Sequence, residues 1–145
     1  MPSLNRSLNV IGRCDTLFRA KHLAETGVDA LNYFYLFYIC RNPGVSQETL
    51  SRALYVNKSS VTRHIAHLEQ AGLLTRTPSP EDRRVMLVYP TERATTLLPT
   101  LREVGRLWNA AITAGFTPEE TAQFEDLLSR AMENARRAVD KEVQG

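Results

Sequence analysis

The sequence predicts a mainly α-helical protein with one β-hairpin, in the element order α-α-α-α-β-β-α-α. Hydrophobic residues recur at three- and four-residue steps over most of the chain, as they do on one face of an amphipathic helix. Runs typical of strands occur only at 73–77 and 85–89, on either side of a loop with two prolines. Proline lacks an amide hydrogen, which places it in the loop or at a strand edge. The predicted sheet is therefore small.

The first two helices are bounded by residues that favour helix ends. A helix over residues 5–25 is expected to stop at Gly27, because glycine tolerates the left-handed conformation found there. A second helix, rich in aromatic residues, is expected from about 29 to 41. The turn sequence at 42–44, Asn-Pro-Gly, ends it.

Two short helices follow and form the most informative part of the chain. Ser46 and Asn57 are good N-cap residues for the third and fourth helices. The tight connection between these helices predicts a helix-turn-helix, whose second helix enters the DNA major groove. The apolar stripe of that second helix consists of Val61, Ile65 and Leu68.

The last two helices are long and carry many apolar residues. Thr91 caps a helix that runs towards Ala114, and Pro99 is expected to kink or restart it. Thr117 and Glu120 have the spacing of a capping box for the final helix. Apolar side chains of both helices are expected to need a partner: Leu97, Leu98, Leu101, Val104, Leu107, Trp108, Phe116, Phe124, Leu127, Leu128 and Met132.

The outer face of the fourth helix suits DNA contact. Between Asn57 and Leu68 the chain has cations and histidines but no acid. Short hydroxyls allow close approach to base edges, and an arginine can make a bidentate contact with guanine. The residues available for the bases are Ser59, Ser60, Thr62, Arg63 and His67. Asn57 and Lys58, at the helix start, are placed for phosphate, whereas His64 is expected to be packed or half-buried.

The hairpin that follows adds a second basic element. Arg83 and Arg84 lie at its tip, and Asp82 is close enough in sequence to orient one guanidinium. A cationic ribbon beside a recognition helix can lie along the neighbouring minor groove. The combination predicts a winged helix-turn-helix.

Composition indicates which other classes of function are expected or excluded. The net charge is only +2, but residues 45–90 hold six basic against four acidic residues, whereas residues 91–145 hold seven against nine. No apolar run is long enough to cross a bilayer, so we expect a cytoplasmic protein without membrane contact. Cys14 and Cys40 do not make a disulfide framework or a zinc site, and we expect no metal and no cofactor.

The chain resembles the MarR family of bacterial winged-helix regulators over nearly its whole length, with the most specific similarity at residues 46–93. The resemblance is carried by Val-Asn-Lys-Ser-Ser-Val-Thr-Arg-His-Ile-Ala-His-Leu-Glu-Gln-Ala-Gly-Leu-Leu-Thr-Arg and by Glu-Asp-Arg-Arg-Val-Met-Leu-Val-Tyr-Pro-Thr-Glu. Arg93 is a departure, since many members have Lys or Gly there. The resemblance implies one domain over 1–145, with the DNA-binding lobe at 29–90 and dimerisation helices at 1–28 and 91–145.

Further expectations come from the resemblance alone. It implies an intertwined homodimer that binds a palindromic operator in double-stranded DNA, mostly as a repressor. It also implies release by a small aromatic or phenolic ligand, or by oxidation. The family's ligand pocket lies between the dimer helices and the DNA lobe. The residues that could line it here are His22, Tyr33, Phe37 and Trp108.

Three other functions are open to a chain of this kind: an enzyme, a protein-protein interaction module and a redox sensor. An enzyme would need a convergent catalytic set, and the three histidines have no acidic or cysteine partner at a working spacing. A winged helix can also serve protein-protein contact without binding DNA. A redox sensor would use Cys14, which resembles the sensing cysteine of peroxide-responsive members but lies too close to the second helix. Cys40 is expected to be buried.

Overall fold

The structure, a computed structural model that describes residues 3–143, is mainly helical with a three-stranded antiparallel sheet. Its helices are α1 (Leu4–Leu23), α2 (Tyr33–Arg41), α3 (Gln47–Leu54), α4 (Lys58–Gln70), α5 (Glu92–Ile112) and α6 (Pro118–Val143). Its strands are β1 (Val45–Ser46), β2 (Leu74–Pro78) and β3 (Met86–Pro90). The predicted mainly α fold with a winged helix-turn-helix is confirmed.

The chain divides into two compact units. The first extends to Trp108 and holds α1 to α4, the sheet and most of α5. The second begins at Asn109 and holds α6. The lobe predicted at 29–90 lies inside the first unit, whereas the ends of the predicted 1–145 domain fall outside the described residues. No helix within residues 3–143 is both long and apolar enough to span a membrane.

The predicted helix caps of the helix-turn-helix are present. The Ser46 hydroxyl accepts a hydrogen bond from the Thr49 amide at 3.1 Å, and Asn57 Oδ1 accepts one from the Ser60 amide at 2.8 Å. Each cap satisfies an amide that has no carbonyl partner in the first turn. These caps fix where α3 and α4 begin.

Two short elements near α2 were not predicted. The helix expected from about 29 divides into a 3₁₀ helix at Ala30–Asn32, capped by Asp29, and α2. Strand β1 was also missed, and it pairs with β3 to give the order β1-β3-β2. A two-residue strand is too short to show periodicity, so only its ladder partner reveals it.

Helix α5 runs without interruption through Pro99, so the predicted restart at that residue is wrong. Ala94 precedes the proline, Leu101 and Val104 follow it, and all three are buried in one core. Packing on both sides holds the helix together despite the hydrogen bond that proline removes.

The core of the first unit draws on every helix from α1 to α5 and on the sheet. Its fully buried side chains include Leu23, Leu36, Ile39, Leu50, Val61, Ile65, Leu68, Leu73, Val88 and Leu101. Leu101 and Val104 were expected to need an outside partner, but they are buried within this unit. Most of the exposed large apolar side chains lie on α1 and in the second unit, and others, such as Leu31 and Phe34, lie near the start of α2.

The second unit opens with the predicted capping box. The Glu120 amide donates to the Thr117 hydroxyl at 3.1 Å, and the Glu120 carboxylate accepts from the Thr117 amide at 2.8 Å. Phe116 and Phe124 meet edge to face, with ring centroids 5.8 Å apart. Several apolar side chains of this unit remain exposed, namely Phe116, Leu127, Leu128, Met132 and Val139.

A close approach between α2 and α5 requires glycine at position 105. The Tyr33 hydroxyl donates to the Leu101 carbonyl at 2.8 Å, and a Cβ at Gly105 would lie 2.9 Å from that hydroxyl. We expect Gly105→Ala to lower the free energy of unfolding by about 1–3 kcal/mol, because the buried ring cannot retreat. Denaturant titration measures this. Tyr33→Phe in the same chain should recover part of the loss.

The matched control is Gly12→Ala in α1, where a new Cβ meets nothing within 4 Å. This change should raise the free energy of unfolding by roughly 0.5–1 kcal/mol through helix propensity. Equal effects of the two substitutions would contradict the close approach at Gly105.

The cap of α4 gives a second stability prediction. Asn57→Ala should lower the free energy of unfolding by about 1 kcal/mol, because the Ser60 amide loses its acceptor, whereas Asn57→Ser should keep most of it. Thermal or denaturant unfolding of both variants checks this. An alanine variant as stable as the serine variant would mean that the cap contributes nothing.

Candidate nucleic-acid interface

Helix α4 has two sharply different faces. Val61, Ile65 and Leu68 are buried in the core, as predicted. On the opposite side Lys58, Ser59, Thr62, Arg63 and His67 are exposed and Ser60 is half-buried. The helix is thus held from behind and presents donors and cations outward.

The start of α4 is favourable to an anion. Asn57 is its N-cap, Lys58 is exposed at its first position, and no acidic residue occurs in its first turn. Amide groups at a helix N-terminus point outward and carry partial positive charge, so a phosphate is stabilised there. The placement agrees with a phosphate role for Asn57 and Lys58.

Two of the predicted contact groups are partly engaged within the helix. The Thr62 hydroxyl donates to the Lys58 carbonyl at 3.0 Å, which leaves it only as an acceptor. Asn57 Oδ1 is occupied by the Ser60 amide, so its free group is the side-chain NH2. Arg63 is exposed and its guanidinium makes no ion pair with the described residues, so it is available to an outside partner.

The turn between α3 and α4 is tightly fixed. Tyr55 adopts the left-handed conformation at φ 56°, and the Ser51 hydroxyl donates to the Val56 carbonyl at 2.6 Å. The Val56 amide in turn donates to the Ser51 carbonyl at 3.1 Å. These contacts set the angle between the two helices of the helix-turn-helix.

The tip of the hairpin bears the predicted acid-arginine pair. Arg84 donates to both carboxylate oxygens of Asp82, each at 3.1 Å, while its side chain stays 90% exposed. The hydrogen bonds from Arg84 lower the pKa of Asp82, so the pair is charged at neutral pH. Arg83 beside it is exposed. The loop that carries them is closed by a 2.7 Å hydrogen bond from the Ser79 amide to the Val85 carbonyl.

An ion pair that was not predicted links the wing to α4. Arg76 on β2 donates to the two carboxylate oxygens of Glu69 at 2.9 and 3.4 Å. The hydrogen bond from Arg76 lowers the pKa of Glu69. This ion pair therefore ties the hairpin to the C-terminal end of α4.

The C-terminus of α4 is held by the first turn of α5. The Thr91 hydroxyl donates to the Gly72 carbonyl at 2.7 Å, and Arg93 donates to the Ala71 carbonyl. A cation at the C-terminus of a helix is favourable because the last carbonyls carry partial negative charge. Arg93, a departure from the usual family residue, thus has a structural partner here.

A buried asparagine that was not predicted contacts two histidines of α4. Asn32 is 2% exposed, and its side chain lies 2.6 Å from His64 Nδ1 and 2.7 Å from His67 Nδ1. The His64 ring also stacks on Tyr35, with centroids 4.6 Å apart. His64 is half-buried, as predicted, and burial and the neighbouring Arg63 charge lower its pKa. Only contacts with residues at least 32 positions away could have revealed that Asn32 packs against α4.

The four residues predicted to bind an effector form two aromatic groups. Tyr33 and Phe37 stack with centroids 5.8 Å apart. His22 stacks on Phe18 at 4.0 Å, and Phe18 meets Trp108 at 5.4 Å.

A separate open groove adjoins α2. It has a volume of about 400 Å³ and is lined by Phe34 and Tyr35 of α2, His64 of α4 and aliphatic side chains in and around α3. None of the four residues predicted to bind an effector lines it.

The cysteines are separate and differ in exposure. Cys14 is exposed on α1, whereas Cys40 is half-buried and its burial raises the pKa of its thiol. Within residues 3–143 no three His, Cys, Asp or Glu side chains are grouped as metal ligands would be.

Comparison with known proteins identifies the family. The model of the MarR family matches residues 26–85. The uncharacterized HTH-type transcriptional regulator YybA of Bacillus subtilis (strain 168) is 32% identical over 137 residues, which cover 94% of this chain and 91% of that protein.

Solved structures agree with the sequence match. The crystal structure of MarR has a TM-score of 0.86 at 27% identity and covers 96% of this chain and 95% of its own. A Listeria monocytogenes protein assigned to the same family, crystallised with a 26mer DNA, has a TM-score of 0.86 at 28% identity, covering 92% and 89%. These relatives are transcriptional regulators, so the expectation that the protein is not an enzyme is confirmed. The chain belongs to the MarR family of transcriptional regulators.

Proposed function

We propose that the protein is a sequence-specific DNA-binding regulator that binds a palindromic operator as a homodimer. The observation that carries the proposal is the outer face of α4, which is free of acid from Asn57 to Leu68 and lies opposite a fully buried stripe. A helix with one buried apolar face and one exposed polar face can enter the major groove while it stays packed against the core. The relative that was crystallised with DNA supports the same role.

The residues of α4 divide between bases and backbone. Ser59, Ser60, Thr62, Arg63 and His67 are assigned to base edges, and Arg63 is the candidate for a bidentate contact with guanine. Asn57 and Lys58, at the positive end of the helix, are assigned to phosphate.

The wing is assigned to the minor groove. Asp82 holds the Arg84 guanidinium by two hydrogen bonds, so Arg84 has a fixed direction while remaining exposed. Arg83 adds a second cation at the tip. Such a tip is attracted to the negative potential of a narrow minor groove and reads shape more than sequence.

Dimerisation is assigned to the terminal helices, at 1–28 and 91–145. Helix α1 exposes several large apolar side chains, namely Leu4, Leu8, Val10, Ile11 and Leu17, and the second unit exposes its own set. Exposed apolar surface of this kind marks an interface in a soluble protein. A symmetric dimer covers it and presents two α4 helices to the two halves of a palindrome.

Regulation is assigned to a small aromatic or phenolic effector that releases a repressor from DNA. The aromatic pairs around His22, Tyr33, Phe37 and Trp108 are the candidate contacts in the assembled dimer. Oxidation at Cys14 is the alternative trigger. The raised pKa of Cys40 disfavours its reactive thiolate.

Two substitutions and a matched control test the DNA-reading role. Arg63→Ala should cost about 1–3 kcal/mol at one base pair of the operator and relax the preference there. Arg84→Ala should weaken binding to most sequences alike, because the wing reads no specific base. The control is Arg106→Ala on α5. Arg106 is exposed and, like Arg84, is paired with an acidic residue, here Glu103 at 2.6 Å. This substitution should leave DNA affinity unchanged.

The measurement starts with selection of bound sequences from random duplex DNA, followed by titration over a range of salt concentrations. Affinity should fall steeply with added salt, because bound cations displace counterions from the phosphates. A weak response to salt would instead indicate a protein-protein module. Binding of both variants as tight as that of the parent would overturn the assigned roles.

A further inference from the structure

We propose that Asn32 is a positioning residue for DNA recognition: its buried amide fixes the His67 ring as the Nε2–H tautomer, so that a hydrogen-bond donor faces the DNA. The proposal rests on the DNA-reading role of α4 given above. It assigns a function to a residue outside the helix-turn-helix.

The side-chain amide of Asn32 contacts two residues on consecutive turns of α4. Asn32 Nδ2 lies 2.7 Å from His67 Nδ1, and Asn32 Oδ1 lies 2.6 Å from His64 Nδ1. The two histidines are three residues apart, which places them on one side of the helix. Asn32 belongs to the 3₁₀ helix before α2, so these contacts cross from that element to the recognition helix.

The two ends of the amide dictate the proton positions on both rings. An amide nitrogen only donates, so His67 Nδ1 must accept and the proton of that neutral ring resides on Nε2. An amide oxygen only accepts, so His64 Nδ1 must donate and the Nε2 of His64 carries a lone pair. One side chain thereby sets opposite tautomers on two rings.

The tautomer of His67 decides what the ring can bind. His67 is exposed and lies one helical turn from Arg63 on the outer face of α4. Its Nε2–H can donate to N7 or O6 of guanine, to N7 of adenine or to a phosphate oxygen. The reversed tautomer would turn a lone pair towards those same acceptors, and the contact would be lost.

The burial of Asn32 supports a positioning role. A buried amide is costly unless both of its groups are hydrogen-bonded, and here both are used on α4. His64 is further held by stacking on Tyr35, and the charged groups around it are Asp29 and Arg63. Rotation of α4 about its own axis would break both amide contacts, so Asn32 also fixes which residues face outward.

Ring nitrogen NMR on the full chain tests the tautomers directly. The protein has three histidines, and His22, whose Nδ1 lies 2.9 Å from the Phe18 carbonyl, provides an internal Nδ1–H reference. We expect Nδ1–H for His64 and Nε2–H for His67. The His64 result is the more diagnostic, because an isolated neutral imidazole in water favours Nε2–H. Nε2–H on His64, or Nδ1–H on His67, overturns the proposal.

DNA affinity tests the consequence. Asn32→Asp keeps the size of the side chain and offers oxygen acceptors to both rings, so His67 should change to the Nδ1–H form. At a pH where His67 is neutral, we expect this variant to bind the selected operator about fivefold to tenfold more weakly, the value of one hydrogen bond. His67→Gln replaces the ring with an amide that has no tautomer for Asn32 to set, so the operator affinity of this variant is the reference for the double variant.

The double variant separates positioning from a general structural effect. If Asn32 acts through the His67 ring, Asn32→Asp should cost little in the His67→Gln chain. An equal loss in both chains would show that Asn32 acts some other way. Asn32→Leu removes both contacts without adding charge and leaves His67 free to adopt the Nε2–H form that an isolated imidazole favours, so it should bind more tightly than Asn32→Asp.

Failure of this proposal is distinguishable from failure of the DNA-reading role. A parent that binds operator DNA with either ring in the unexpected tautomer contradicts the positioning role alone. Arg63→Ala and Arg84→Ala variants that bind like the parent contradict the DNA-reading role, and with it the contact assigned to His67.

Discussion

The structure depends on the burial of one stripe of α4. Val61, Ile65 and Leu68 are each at most 1% exposed, and together they anchor the helix to a core built from α1 to α5 and the sheet. Burial of three such side chains contributes several kcal/mol, roughly 1.5–3 kcal/mol for each. Because the stripe is so narrow, the opposite face is free to carry hydroxyls, an arginine and histidines without disturbing the core.

Around that anchor, polar contacts fix the direction of α4. Asn57 caps its start, Thr91 and Arg93 bind the carbonyls just after its last turn, and Glu69 ties it to the wing through Arg76. Hydrophobic burial is non-directional, so it cannot by itself set the rotation of a helix. The polar contacts supply that direction.

Much of this could be predicted from the sequence because the signals are local. The caps at Ser46, Asn57 and Thr117 and the strand-prone runs of the hairpin are each visible within a few residues. Sequence left open whether α5 would restart at Pro99, and it does not, because packing of Leu101 and Val104 in the core outweighs the local preference of proline. Strand β1 and the contacts of Asn32 were not predicted either, because each depends on a partner more than 30 residues away in the sequence.

The candidate site shows the same difference between local signals, which sequence reveals, and long-range packing, which it does not. The exposed face of α4 follows from spacing, whereas spacing predicts only that Asp82 pairs with one of the two arginines at the hairpin tip; the structure places both features at the surface and pairs Asp82 with Arg84. The residues chosen for an effector were selected by aromatic character. Tyr33 proves to be a buried core residue whose hydroxyl is used by α5. Aromatic side chains in a helix of this length serve packing first, and sequence cannot separate packing from ligand contact.

The central claim is that α4 and the hairpin tip together form the surface that meets DNA. Hydrogen-deuterium exchange of the whole protein, with and without a selected operator duplex at low salt, tests it most directly. We expect added protection to concentrate in residues 57–68 and 79–85, with little change in exchange over α6. Protection confined to other segments, with both of these regions unchanged on saturation with DNA, would contradict the account.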